Sequence, residues 1–292
     1  MTILSFKELL EKCTGKNKKI YEIAQYEESV FSEETIEMIR IKTLDNLRAM
    51  KQAIKSGLSS NEKSISGCSG DDCSKLLNGY SKRAPIFGKV FEKITSYAIA
   101  TAEENLRMGR IVACPTAGSC GIVPSVIVAI SEELNIPEEK QTDALLTAGM
   151  IGLIVSYKVR LAGAVAGCQA ECGVASAMAA GALVEMLNGT PYEIIQAATL
   201  ALKNILGLTC DPVCGLVEIP CIKRNAFLAI HAVTAAELSM AGIVSKIPAD
   251  EIVNTLKQTG ELMSPLLKET SQAGLAVTES AIEIQNKLFN NN

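Results

Sequence analysis

From residue 86 onward, apolar residues recur at helical spacing in segments separated by single breakers at Gly109, Pro115, Pro124, Pro137, Gly163, Gly189, Pro212, Pro220 and Pro248. No strand-length β-branched run alternates convincingly, Arg110 to Ala113 being the one stretch that approaches it. A chain divided in this way closes a core by packing short helices on one another. Its side chains suit that: aromatics are 4% of the residues, Trp is absent, and Ala, Gly, Ile and Leu dominate. The fold class expected is predominantly α, a single compact helical domain over residues 1–292 with an N-terminal helical extension and long functional loops.

The extension, residues 1–60, is charged and periodic. Ser32 precedes Glu34 as a helix-start signal, Ile36, Ile39, Ile41, Leu44 and Leu47 recur at roughly helical spacing, and Gly57 ends the pattern. Residues 61–292 form the expected core. They open with SSNEKSISGCSGDDCSKLLNGYSKRAP, rich in Ser and Gly and closed by Pro85, which reads as one long loop. Loops of that length are often functional. Two segments invite a membrane reading, Ala144 to Tyr157 and Leu161 to Val184. The first is shorter than the ~18 residues a span needs and the second carries Gln169 and Glu171, so both are expected to be buried helices.

A formal net charge of -4 leaves no basic footprint, so neither nucleic acid nor a membrane is expected as a partner. Ten cysteines in 292 residues are too dilute for a disulfide-stapled domain, and MTILSFKELLEKCTG lacks the order of a secretory signal; a reducing cytoplasm is the expected location.

Five of those cysteines, Cys168, Cys172, Cys210, Cys214 and Cys221, lie in small-residue, weakly charged sequence. Three thiolates can hold a metal centre and leave a coordination position open. Spacing does not choose among them, nor among zinc, an iron-sulfur cluster and inert buried thiols. Paired C-x2-C spacings are missing, the only histidine is His231, and the closely spaced ferredoxin run is absent. A local echo, Cys120-Gly121-Ile122-Val123, Cys172-Gly173-Val174-Ala175 and Cys214-Gly215-Leu216-Val217, suggests three loop-to-helix junctions converging on one place. Glycines that merely permit tight helix contacts explain it equally well.

The segments PTAGSCGIVP (115–124), AGCQAECGVA (166–175), TCDPVCGLVEIPCIKRNA (209–226) and ETSQAGLAVTES (269–280) resemble the iron-sulfur-dependent bacterial L-serine dehydratases. More closely, the chain is similar to the separate alpha chain of the two-chain form. The resemblance runs from about Ser64 to Thr278. It implies a 4Fe-4S cluster on Cys168, Cys210 and Cys221, with Cys172 and Cys214 at positions where the family accepts other residue types, and no pyridoxal phosphate. It further implies conversion of L-serine to pyruvate and ammonia by β-elimination of water, with an iron that lacks a cysteine acting as Lewis acid on the hydroxyl.

The α-proton needs a base within hydrogen-bond reach, and the chain offers no clear one. His231, in the apolar run LAIHAVTAA, reads as a satisfied core histidine. The catalytic base is therefore unassigned here, and the resemblance implies that a separate beta chain supplies it, hence obligate pairing. The loops Ser64, Ser66, Gly67, Ser69, Gly70 and Thr116, Ala117, Gly118, Ser119 resemble family loops that contact substrate; their hydroxyls and N–H groups can hold a carboxylate. Cys68 and Cys73 are incidental, because Asp71 and Asp72 beside them raise a thiol pKa. Glu171 and Gln169 need partners in their apolar segment, either beside Cys168 or as an ion pair with Arg160 or Lys158. Asp211 is expected to cap a helix or turn, and Lys223 and Arg224 to form a solvated face. The alternatives are elimination of hydrogen sulfide from cysteine, and a non-catalytic metal or redox-sensing protein.

Overall fold

A computed structural model describes residues 3–64 and 66–289. Thirteen α-helices and several short 3-10 turns form it, and among the described residues the only β pairing is an isolated bridge between Cys210 and Lys268. Residues 110–113 are irregular, so the one strand-like stretch is a connector.

The extension folds as α1 (Phe6–Lys16), α2 (Ile20–Ser32) and α3 (Ile36–Ser59). Local signals set their ends. Ser5 Oγ accepts from Glu8 N at 3.1 Å, and Thr35 Oγ1 accepts from Met38 N at 3.2 Å. Ser32 is thus the last residue of α2 rather than the start of the next helix, and α3 runs through Gly57 to Ser59. The segment read as one long loop contains α4 (Asp72–Ser81). Its start is completed from a distance: the buried Glu103 carboxylate accepts from Gly70 N, Asp72 N and Cys73 N at 3.2, 2.8 and 3.4 Å. No local pattern could announce a carboxylate thirty residues away.

Glu103 lies on α5 (Gly88–Leu106), which is followed by α6 (Ile122–Leu134) and α7 (Glu138–Ser156). A short α8 (Gly163–Ala166) leads to α9 (Cys168–Met186), in which every residue except Glu171 is buried. Buried on all sides, α9 is the axis of the fold. It packs against α6, α7, α10 (Pro191–Lys203) and α11 (Cys221–Met240), while α12 (Ala249–Leu262) and α13 (Glu279–Phe289) close the chain. The stretch from Ala117 to Leu134 is long and apolar enough to cross a membrane, yet Ile122 to Ser131 are all interior.

One core carboxylate yields a stability prediction. Glu185, 5% exposed on α9, accepts from Thr147 Oγ1 at 2.8 Å and has Lys19 Nζ at 3.9 Å. Burial holds its carboxyl above the ordinary value of 4.5. A raised folded-state pKa means its contribution is intact below the unfolded value and lost as pH rises through the folded one. Glu185→Gln, neutral throughout, should gain on the parent protein as pH rises from about 5 to about 8. Thermal melts showing a constant difference across that range would contradict this.

Candidate active site

Two of the cysteines begin helices. Cys168 is the first residue of α9 and Cys221 the first of α11, where free N–H groups and the helix dipole favour an anionic sulfur. Gly167, at φ 78°, makes the turn into α9. Cys210 lies between α10 and α11, where its N–H donates to Leu267 O at 2.9 Å and its carbonyl accepts from Glu269 N at 2.6 Å. Gln169, fully buried, ties these pieces together. Its amide donates to Ala166 O and Leu256 O at 2.9 and 3.2 Å and accepts from Gly207 N at 2.8 Å.

The thiols form one electrostatic unit. The Cys172 thiol, one helical turn on, donates to Cys168 and, against the cost of burial, holds it below the usual thiol range, helped by the Arg224 guanidinium. Cys172 itself is held well above that range, first by this hydrogen bond and then by burial. Burial, and then the Cys168 charge, pushes Cys221 up to about 12 and Cys210 higher still. Arg224 is not on a solvated face: its side chain is 15% exposed and donates to Thr209 O at 2.8 Å and Asp211 Oδ1 at 3.0 Å. Lys223 does lie near solvent, paired with Asp72.

Asp211 bridges rather than caps its own turn. Its second oxygen accepts from Leu275 N at 2.9 Å, and Ser271 Oγ donates to Pro212 O at 2.7 Å. The ETSQAGLAVTES segment thereby wraps the Cys210 loop.

Glu171 lies beside the thiols, and neither it nor Gln169 pairs with Arg160 or Lys158 among the described residues. Its carboxylate accepts from Thr116 Oγ1, and burial pushes it up, reinforced by the charge of Glu269. A Cβ on Gly163 would stand 2.8 Å from Cys210 Sγ and 2.9 Å from Glu171 Oε2. Glycine thus leaves a small gap that the sulfur and the carboxylate flank.

The loop Thr116–Ser119 is fastened by a residue absent from the sequence reading. Asn225, fully buried on α11, accepts from Gly121 N at 2.9 Å and donates to Gly118 O at 2.8 Å. Ala117 opens the 3-10 turn, and Ser119 Oγ contacts Cys114 O and Thr116 O, both at 3.3 Å. The other loop meets a second unforeseen residue: Ser64 Oγ and Ser66 Oγ each donate to Glu218 at 2.8 Å. Gly67 N donates to Ser64 O at 2.9 Å and closes the turn. The available signal for Glu218 was one polar residue in an apolar run, GLVEIPC; Asn225 follows Lys223 and Arg224 in CIKRNAF and carries no such signal.

Other expectations resolve differently. The Cys-Gly echo marks a single helix start, at α6; Cys172 is inside α9 and Cys214 lies in the 3-10 turn Val213–Gly215. Cys214 is raised by burial and then by Cys68 and Glu218, not by Cys168, Cys210 or Cys221, so it lies on the Ser64–Gly70 loop side of the site. Cys73 is raised to about 12 by burial and then Glu103, rather than by its aspartate neighbours. His231 Nε2 contacts Ala201 O at 3.0 Å, as a satisfied core histidine does. A cavity of 820 Å³ opens between α2, α3 and α7, and no predicted site residue lines it.

Residues 15–276 match the family model for the serine dehydratase alpha chain. The chain is 42% identical over 283 residues to the probable L-serine dehydratase alpha chain of Bacillus subtilis, covering 97% of this chain and 94% of that one. It is 38% identical over 287 residues to the L-serine dehydratase alpha chain of Peptoniphilus asaccharolyticus, covering 96% of each. The L-serine dehydratase of Helicobacter pylori is also 38% identical, over 94% of this chain but 61% of that longer protein.

Proposed function

As the chain belongs to the serine dehydratase alpha-chain family, we propose that it is the alpha subunit of an L-serine ammonia-lyase that works in the cytoplasm with a separate beta chain. It would carry a 4Fe-4S cluster on Cys168, Cys210 and Cys221 and need no pyridoxal phosphate.

What supports this reading is that Cys168, Cys210 and Cys221, on three separate segments, lie near enough for Cys168 to raise the other two thiols, while the Arg224 guanidinium helps to hold Cys168 below the usual thiol range. The donor set fits a cluster, for which thiolates are the usual ligands. Among the described residues no three His, Cys, Asp or Glu donors are close enough for a single metal ion. Thiols that bind different irons stand farther apart than donors sharing one. When bound, the cluster would supply a Lewis-acidic iron with an open position, which eases departure of a poor leaving group.

The chain's own residues do the rest of the positioning. Arg224 places positive charge against Cys168, Glu171 orients the Thr116 hydroxyl, and Asn225 fixes the 116–119 loop to the helix that begins at Cys221. L-serine loses its α-proton and its hydroxyl, and the resulting aminoacrylate tautomerises to an imine that water hydrolyses to pyruvate and ammonia. His231 cannot remove that proton. Ten residues along α11 from Cys221, it lies about 15 Å away, against a backbone carbonyl. The base is therefore proposed to come from the beta chain, as the resemblance implies.

Anaerobic purification with and without a co-expressed beta chain tests the reading through iron, sulfide and pyruvate released from L-serine. Oxygen-labile activity requiring both chains is expected. Stoichiometric metal without pyruvate under any pairing would overturn it in favour of a redox-sensing protein. Hydrogen sulfide from cysteine outpacing pyruvate from serine would replace it with a desulfidase.

A further inference from the structure

We propose that Glu218 and the hydroxyls of Ser64 and Ser66 form the subsite for the substrate's α-ammonium group, an inference that rests on the dehydratase reading above. From sequence this loop was expected to hold a carboxylate; the structure gives it the opposite polarity. A serine hydroxyl has one proton to donate. Ser64 donates its proton to Glu218 Oε2 and Ser66 to Oε1, both at 2.8 Å. The two Oγ atoms then stand 3.1 Å apart with no proton left to share between them.

Each oxygen has two lone pairs. Ser64 Oγ accepts from Ser69 N at 3.3 Å and Ser66 Oγ from Cys68 N at 3.1 Å, which leaves each with one acceptor position. An ammonium group, a donor of three N–H bonds, suits such a pair; a carboxylate, which only accepts, does not.

Charge points the same way. Glu218 is 5% exposed and has no cationic partner among the described residues. A buried carboxylate satisfied only by neutral hydroxyls favours a cation and repels an anion. In the same loop, the hydroxyl of the fully buried Ser69 has no partner, so the polar capacity exceeds what the chain itself uses. Glu218 also lies three residues before Cys221, and its carbonyl accepts from Ile222 N at 3.2 Å in the first turn of α11. The ammonium subsite and one proposed cluster thiol are thus carried on the same short segment.

The test compares the paired enzyme with its Glu218→Gln variant, using L-serine as substrate and L-glycerate, which carries a hydroxyl in place of the ammonium, as competitive inhibitor. The variant should raise KM for L-serine by roughly 10- to 100-fold, the scale of a hydrogen-bonded charge, while kcat changes less and the inhibition constant of L-glycerate is unchanged or lower. An unchanged KM, or affinities for both compounds falling together, overturns the assignment. Should Glu218→Gln fail to assemble, Ser66→Ala is read the same way, with loss of affinity confined to L-serine. Iron content and cluster absorbance equal to the parent's confirm an intact site. Absence of pyruvate release by the parent enzyme itself would be a failure of the dehydratase reading and not of this subsite.

Discussion

Cys210→Ser and Cys221→Ser should each lower pyruvate release from L-serine by more than about a hundredfold and strip most of the iron from the paired enzyme. Loss of a group that merely supports a metal ligand typically costs ~10- to 100-fold, and loss of the ligand exceeds it. The contrast is with the two other thiols. Cys214 lies in a separate turn beside Cys68, and Cys172 keeps its proton to donate to Cys168. Cys214→Ser should retain iron and activity, and Cys172→Ser should retain iron with a moderate loss of rate. Iron and sulfide assays alongside initial rates decide the matter. Full iron in the Cys210 and Cys221 variants would sink the ligand assignment.

Gly57→Ala should be the most damaging substitution outside the site. An added Cβ would stand 2.1 Å from Ala100 O and 2.5 Å from its carbonyl carbon, both in the backbone of α5. Backbone cannot swing aside as a side chain does, so α3 and α5 must separate. Overpacking of this kind costs about 1–3 kcal/mol, and a backbone collision belongs at or above the upper end. A fall in Tm of roughly 5–10 °C follows. Because α5 carries Glu103, which holds the Gly70–Cys73 backbone, affinity for L-serine should weaken as well. The internal control is Gly149→Ala on α7, where an added methyl meets nothing within 4 Å. That change should leave stability unaltered or raise it by up to ~1 kcal/mol. Equal melting of the two variants would contradict the argument.

The parts of the site legible in the sequence were those fixed by contiguous motif. Cys168, Cys210, Cys221 and the Thr116–Ser119 loop stand in distinctive local text, and the resemblance selected them. The preference for Cys168, Cys210 and Cys221 over Cys172 and Cys214 came from the resemblance, and in the fold Cys172 lies against Cys168, one helical turn on. The solvated face assigned to Arg224 and the local cap assigned to Asp211 failed for one reason. Both residues serve partners beyond the reach of a helical turn, Thr209 and Asp211 lying 15 and 13 residues before Arg224 and Leu275 lying 64 residues after Asp211.

The sequence by itself determined that this chain is helical and, through the resemblance, which thiols to propose as ligands. Periodicity, caps and small residues act over one or two turns, so their effects can be read along a line. Only the tertiary structure decided the polarity of the site. Ser64 and Glu218 are 154 residues apart, and Glu103 completes a helix start on another element. Such meetings depend on how α5, α9 and α11 cross, which packing of whole helix faces sets and no local pattern encodes. A loop that reads as a carboxylate cradle became, once folded against a buried glutamate, a place for a cation.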